Sequence, residues 1–200
     1  AQQLLPQRIH LVTCRDPRDW RDWEIEFRYA TPRRRLFIPF NYLTESSFLV
    51  KYAVRHAHAV FSPAHFLIPK IQRLYRLSAP PTFLPNLIDV PTTLPSKPQR
   101  PTFTFLARWD RRKRPWLFFD LAKAFPAYRF IAIGQGSASA EAEETQRLRN
   151  QYQEVQNVEL PGFINRFQDP QRLQRLLSDT WVLVNTAARE GLPLSFLEAA

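Results

Sequence analysis

The proline-rich tract from Pro85 to Pro101 constrains this chain more than any other feature. Pro85, Pro91, Pro95, Pro98 and Pro101, interspersed with Thr92, Thr93 and Ser96, make an extended segment that cannot hold a helix and so divides the chain. Beyond it the apolar pattern alternates regularly. The spacing predicts strands over Thr102–Ala107, Tyr128–Ile133, Val158–Leu160 and Trp181–Asn185. Between and after them it predicts helices from about Pro115 to Phe125, Ala140 to Gln153, Pro170 to Leu177, and Pro193 to the end. Strands alternating with helices of this length need crossover connections, so the expected class is α/β with a parallel, doubly wound sheet.

The first part of the chain is less regular. Arg8 to Thr13 and Arg35 to Phe40 read as short buried strands, separated by the charged tract Arg15 to Glu26, in which Asp16, Asp19 and Asp22 read as one polar helix face. Thr44-Glu45 opens an expected helix to about Ala57, His58 to Ser62 a strand, and Pro63 a helix continuing through Ile71 and Leu74. Thr82-Phe83-Leu84 is the last expected strand before the prolines.

Charge narrows the partners. A net charge of +10 and a pI near 10.3 predict attraction to polyanions: nucleic acid, anionic lipid, or phosphorylated small molecules. The 44% apolar and 23% charged content excludes disorder. Every hydrophobic run is broken well short of the roughly 20 residues a membrane-spanning helix needs. The single Cys14 cannot staple the fold, and no signal-type segment opens the chain, so a reduced, cytoplasmic setting is expected. Zero Met, with a start at Ala1 and a stop at Ala200 inside a helical pattern, reads as a fragment of a longer protein.

Ligands of parallel sheets sit at the carboxyl ends of the strands, and three such ends carry unusual residues. Arg108, Asp110, Arg111, Arg112, Lys113 and Arg114 precede the helix opened by Pro115. So much positive charge at a helix N-terminus predicts an anion or an acidic neighbour, and a diphosphate site and a solvated basic turn both fit. Gly134-Gln135-Gly136 has Ser139 where a dinucleotide fingerprint has its third glycine, with Glu141, Glu143 and Glu144 following. That favours a tight turn near a ligand over a phosphate cradle. In Glu190-Gly191-Leu192-Pro193-Leu194-Ser195-Phe196-Leu197-Glu198, the two carboxylates invite a glycosidase reading. Eight helical residues rise about 12 Å, beyond the roughly 5–9.5 Å of such pairs, so they read instead as two acceptors for different hydroxyls of one elongated ligand.

Taken in order, Arg108 with Lys113, Gly134-Gln135-Gly136, Leu160-Pro161-Gly162-Phe163 and the E-x7-E segment Glu190 to Glu198 resemble the donor-binding domain of retaining glycosyltransferases, family 4 of the GT-B type. The resemblance covers about Asn86 to Ala200. His58 to Phe66 and Pro85-Asn86-Leu87-Ile88-Asp89 resemble, more weakly, the end of the family's acceptor domain and its hinge. It implies two Rossmann-like parallel-sheet domains, both incomplete here: residues 1–90 from the acceptor side, a hinge over 91–101, and a donor domain over 102–200. It also implies sugar transfer, with retention and no obligatory metal, from a nucleotide-diphosphate sugar to a hydroxyl on a glycan or lipid-linked acceptor. Arg108 and Lys113 would hold the diphosphate and Glu190 the sugar hydroxyls. The amides of Gly191 and Leu192 would lie beside sugar and phosphate, with Gly134 and Gly136 in the turn near the donor. Glu198 would take the ribose hydroxyls, and Gly162, Phe163 and Ile164 would pass the base.

The chain departs from this pattern in places. Ala107 and Arg114 stand where the family has glycines, and Leu87 follows Asn86 where it has another. The glycine-rich loop and catalytic-region histidine of the family's first domain are not recognisable. The basic first half suits peripheral contact with an anionic membrane. The rival reading is a non-catalytic basic module for nucleotides or nucleic acid, with Trp109, Trp116, Phe118 and Phe119 as stacking platforms, although these aromatics read more simply as core. That rival leaves Glu190 and Glu198 without a role. His56, His58 and His65 lack a carboxylate or Cys at ligand spacing, and read as satisfied or surface residues.

Overall fold

The computed structural model describes residues 20–45, 47–88, 96–136 and 139–200, with side chains from Trp23 onward except at 45, 139–142 and 144. The expected strand Arg8–Thr13, Cys14, Asp16, Asp19 and residues 91–95 of the expected hinge lie outside the described residues. The chain divides into two compact units at Pro85 and Asn86.

In the second unit, β3 (Thr102–Leu106), β4 (Arg129–Ile133), β5 (Val158–Gly162) and β6 (Val182–Leu183) form one sheet. The strand order is β5-β4-β3-β6 and every pairing is parallel. Helices α5 (Pro115–Ala124), α6 (Ser139–Gln151), α7 (Pro170–Ser178) and α8 (Leu194–Ala199) alternate with the strands. Because side chains alternate across a strand, β4 serves two cores. Phe130 and Ala132 point to the face covered by Phe118, Phe119 and Ala122 of α5 and Leu148 of α6. Ile131 and Ile133 point to the other face, against Leu173 of α7 and Ile164. The sheet is therefore covered on both faces, the doubly wound arrangement the periodicity predicts.

Helix starts follow their local chemistry. Asp169 caps α7 by accepting from the Arg172 N–H at 3.2 Å, and Pro170 follows it as the first helical residue. Two buried hydroxyls of this unit satisfy each other: Thr104 and Thr180 share a bond of 2.7 Å, and Thr180 also donates to the Leu176 carbonyl at 3.0 Å. Arg129 bridges Asp179 at 2.7 Å and Glu159 at 2.6 Å. Those bonds, to Asp179 first, raise its pKa. The edge strand β6 is shorter than the expected Trp181–Asn185, since only Val182 and Leu183 pair with β3.

The first unit differs from expectation at several points. Its elements are α1 (Trp20–Tyr29), α2 (Pro32–Glu45), α3 (Phe48–Arg55), β1 (Phe61–Ser62), a 3-10 turn (His65–Leu67), α4 (Ile68–Tyr75) and β2 (Thr82–Phe83). The expected strand Arg35–Phe40 is helical, inside α2. Ile38 and Tyr42, four apart, are the buried pair, and they pack with Ala30, Trp23 and Phe27. A helical spacing finds a partner where the alternating one does not, and the Trp23 and Tyr42 rings stack at 4.1 Å. Thr44-Glu45 ends α2 rather than opening α3. The Thr44 hydroxyl donates back to the Asn41 carbonyl at 2.9 Å, whereas Ser47 caps α3 by accepting from Val50 N at 3.3 Å. The expected strand from His58 shrinks to Phe61–Ser62, paired in parallel with β2. His58 is exposed, not buried in a strand. Pro63 precedes a short 3-10 turn before α4 begins.

Candidate functional site

At the carboxyl ends of β3, β4 and β6, with the segment after β5, the second unit opens a cavity of about 580 Å³. Its shape begins with glycine. Gly134 has φ +133°, and a Cβ there would lie 1.9 Å from the Ala107 carbonyl oxygen. Only glycine lets the ends of β3 and β4 approach this closely. The Gly134 amide donates to the Gly162 carbonyl at 2.9 Å, which ties the end of β5 to the same floor.

The basic loop after β3 is folded by its own aspartate. Asp110, buried, accepts from the amides of Arg112 at 2.9 Å and Lys113 at 3.0 Å. Its other oxygen lies 3.4 Å from the Arg108 guanidinium. Arg114 then takes a left-handed conformation, φ 50°, and turns the chain into α5. Its guanidinium donates to the carbonyls of Thr186 at 2.5 Å and Ala187 at 3.3 Å, and the Ala188 amide donates to the Arg112 carbonyl at 2.8 Å. These bonds fasten the basic loop to the segment after β6. The result is that Lys113 meets Glu190, 77 residues later, in an ion pair with both side chains about three-quarters buried. The acidic neighbours expected beside the basic run are therefore Asp110 and Glu190.

Arg108, Lys113, Gly134, Phe163, Ile164 and Glu190 all border the cavity. Other residues singled out from the sequence do not. Gly162 contributes its carbonyl from behind the wall. The Gly136 amide is taken by the Thr145 hydroxyl at 2.8 Å, as suits a turn rather than a phosphate cradle. Gly191 and Leu192 give way to Pro193, Leu194 and Ser195 on the wall. Glu198 stands one step behind it, paired at 2.6 Å with Arg166, which does border the cavity.

Sequence reasoning missed Asp110 as an organiser of the loop, Thr186 as its anchor, and Arg166. A signal existed for Arg166, which follows directly on the Phe163-Ile164 stretch. The two carboxylates of the E-x7-E segment are gripped separately, Glu190 by Lys113 and Glu198 by Arg166.

The aromatic residues offered as stacking platforms are unsuited to that role. Trp109, Phe118 and Phe119 are at most 1% exposed, and Trp116 packs against the same core. His56 stacks on Tyr52 and bonds its carbonyl at 2.8 Å, while His65 stacks on Phe83. Among the described residues no group of His, Cys, Asp or Glu could hold a metal, and no helix is long and apolar enough to cross a membrane.

No protein-family model matches this chain, and no curated protein matches its sequence. Solved structures do match its fold. Sucrose-phosphate synthase from Thermosynechococcus elongatus aligns with 88% of this chain and 45% of its own at 18% identity, with a TM-score of 0.61. Anabaena HepE, solved with UDP and glucose, aligns with 78% of this chain and 45% of its own at 16% identity, TM-score 0.58. The pneumococcal O-GlcNAc transferase GtfA, solved with UDP and GlcNAc, aligns with 80% and 30% at 15% identity, TM-score 0.56. The chain thus spans less than half the length of each. At these identities the likeness shows the fold, the α/β parallel-sheet architecture of GT-B structures.

Proposed function

We propose that this chain carries the nucleotide-sugar site of a GT-B glycosyltransferase of family 4, which moves a sugar to a hydroxyl acceptor with retention. The observation that supports this most is the meeting of Arg108, Lys113 and Glu190 at the carboxyl ends of β3 and β6, on one cavity, in a fold shared with UDP-bound structures. A nucleotide-diphosphate sugar asks for that combination: fixed cations for the diphosphate, and a carboxylate to accept from sugar hydroxyls.

In this reading the bond from the anomeric carbon to the diphosphate oxygen breaks as the acceptor oxygen bonds the same carbon on the same face, and the acceptor proton is lost. Negative charge then grows on the departing diphosphate. Arg108 and Lys113 meet it as preorganised cations, so the transfer needs no obligatory metal. Lys113 is already held by Glu190, which fixes both groups before the ligand arrives. Glu198 accepts from the ribose hydroxyls, and Phe163 and Ile164 pass the base.

The acceptor is a glycan or lipid-linked hydroxyl, in a cytoplasmic setting with peripheral contact to an anionic membrane. The run Arg33-Arg34-Arg35 beside exposed Leu36, Phe37 and Phe40 on α2 supports that contact.

Calorimetric titration with UDP, GDP, ADP and their sugar conjugates tests the reading. The expected result is saturable binding of one nucleotide, which names the base, and its loss in Glu198→Ala. Absence of binding by a folded chain would overturn it.

A further inference from the structure

Phe167 is 89% exposed, and it borders the cavity together with Phe163, which is 60% exposed. A lone exposed phenylalanine on a surface is ordinary. Phe167 differs in where it stands and in how firmly its backbone is held. The Asn165 side-chain oxygen accepts from the Phe167 amide at 3.0 Å, and the Asn165 carbonyl accepts from the amides of Gln168 at 3.1 Å and Asp169 at 2.8 Å. Asp169 in turn caps α7. Little beyond the two torsions of the ring is left for a ligand to order.

The cations of the same cavity, Arg108 and Lys113, follow β3, whereas the two rings follow β5. β4 lies between β3 and β5 in the sheet, so the strand ends that carry cations and rings stand about 10 Å apart, two strand spacings. A ligand that meets both carries an aromatic ring at one end and phosphates at the other, with a spacer the size of a sugar between them. A nucleoside diphosphate has that form.

We infer that Phe167 is a stacking platform for the nucleobase, so that the site holds the base by its flat face. The inference rests on the donor-site reading above and adds to it a residue outside the motifs that suggested that reading. A phenyl face accepts any base, because every base has a π-face. Phe167 then sets the affinity for the whole nucleotide and leaves the grip on the diphosphate untouched.

The test titrates UDP, GDP, ADP and inorganic pyrophosphate by calorimetry into the wild-type chain, Phe167→Ala, Phe167→Leu and Phe167→Trp. A side chain so exposed can be replaced without loss of the fold. In Phe167→Ala the nucleotide that the wild-type chain binds is expected to weaken by about tenfold or more, the scale of base stacking on an aromatic ring, with pyrophosphate changed by less than about twofold. Phe167→Leu, apolar but without a π-face, recovers only a small part of the loss, and Phe167→Trp recovers the whole. The tryptophan also reports directly: its added fluorescence is quenched by the nucleotide and not by pyrophosphate.

Nucleotide affinity unchanged in Phe167→Ala overturns the inference. Equal weakening of nucleotide and pyrophosphate does so too, since the residue then shapes the phosphate end, as does full recovery in Phe167→Leu, which marks plain apolar contact. Self-association of the wild-type chain that Phe167→Ala abolishes assigns the ring to a second copy and also overturns it. All of these leave the donor-site reading standing, whereas a folded wild-type chain that binds no nucleotide overturns that reading itself.

Discussion

The two units of this chain use similar apolar material to opposite effect. In the second, Phe118 and Phe130 are wholly buried, because β4 has α5 and α6 on one face and α7 on the other. In the first, Leu36, Phe37, Phe40 and Leu43 of α2 are 62–80% exposed, and only Ile38 and Tyr42 on the opposite side of that helix find partners. Apolar residues do not make a core by themselves. A sheet of several five-residue strands offers two broad surfaces for helices to cover, whereas the pair β1 and β2, two residues each, offers almost none.

The strongest way to break this comparison is to truncate matched aromatics. Phe118→Ala should cost about 3–5 kcal/mol, read from denaturant unfolding of the second unit followed by its own probe. Phe40→Ala should change stability by less than about 0.5 kcal/mol. Equal effects would mean the α2 surface is buried in solution.

A smaller effect is expected where the second unit fastens its site loop. Arg114→Ala keeps a non-glycine residue in the left-handed conformation but loses the bonds to Thr186 and Ala187, and should cost about 1–2 kcal/mol. Arg114→Gly loses the same bonds but relieves the backbone, and should recover about 1 kcal/mol of that. Both changes should weaken nucleotide binding through the displaced Lys113, measured by calorimetry.

The smallest effect is alkaline. Burial first, and then the 2.6 Å hydrogen bond to Asp120, push the Tyr152 hydroxyl up to about 12 from its ordinary 10.0. A phenol whose pKa is higher in the folded state contributes stability below the unfolded value and loses it as pH climbs through the folded one. The second unit should therefore weaken between about pH 10 and 12, and Tyr152→Phe should flatten that slope in thermal melts at stepped pH. The first unit has no such expected slope from this residue. A slope unchanged by the substitution would remove Tyr152 from the account.

How much was legible follows the same division. In the second unit the elements, β6 apart, stood where the sequence places them, because several are closed by a local signal: Pro115 and Pro170 open helices, and Gly134 and Gly162 end strands. In the first unit the run Leu36-Phe37-Ile38 satisfies a strand and a helix equally well over so few residues. The choice was made by Trp23 and Phe27 on another helix. Similarly, Thr44 reads as a helix start in sequence, and that its hydroxyl turns back to Asn41 while Ser47 caps α3 is settled only by where α2 ends.

For the site, the sequence determined the chemical inventory and the strand ends that carry it: Arg108 and Lys113 after one strand, Glu190 after another, glycine at the turn between β4 and α6. It did so because those signals are local, a residue type at a fixed distance from a strand or helix boundary. Only the tertiary structure decided which charges face one another. Lys113 and Glu190 lie 77 residues apart, and Arg166 and Glu198 sit on different segments with no pattern linking them. Such pairings are set by the order β5-β4-β3-β6, which brings distant strand ends side by side, and no stretch of local sequence records that order.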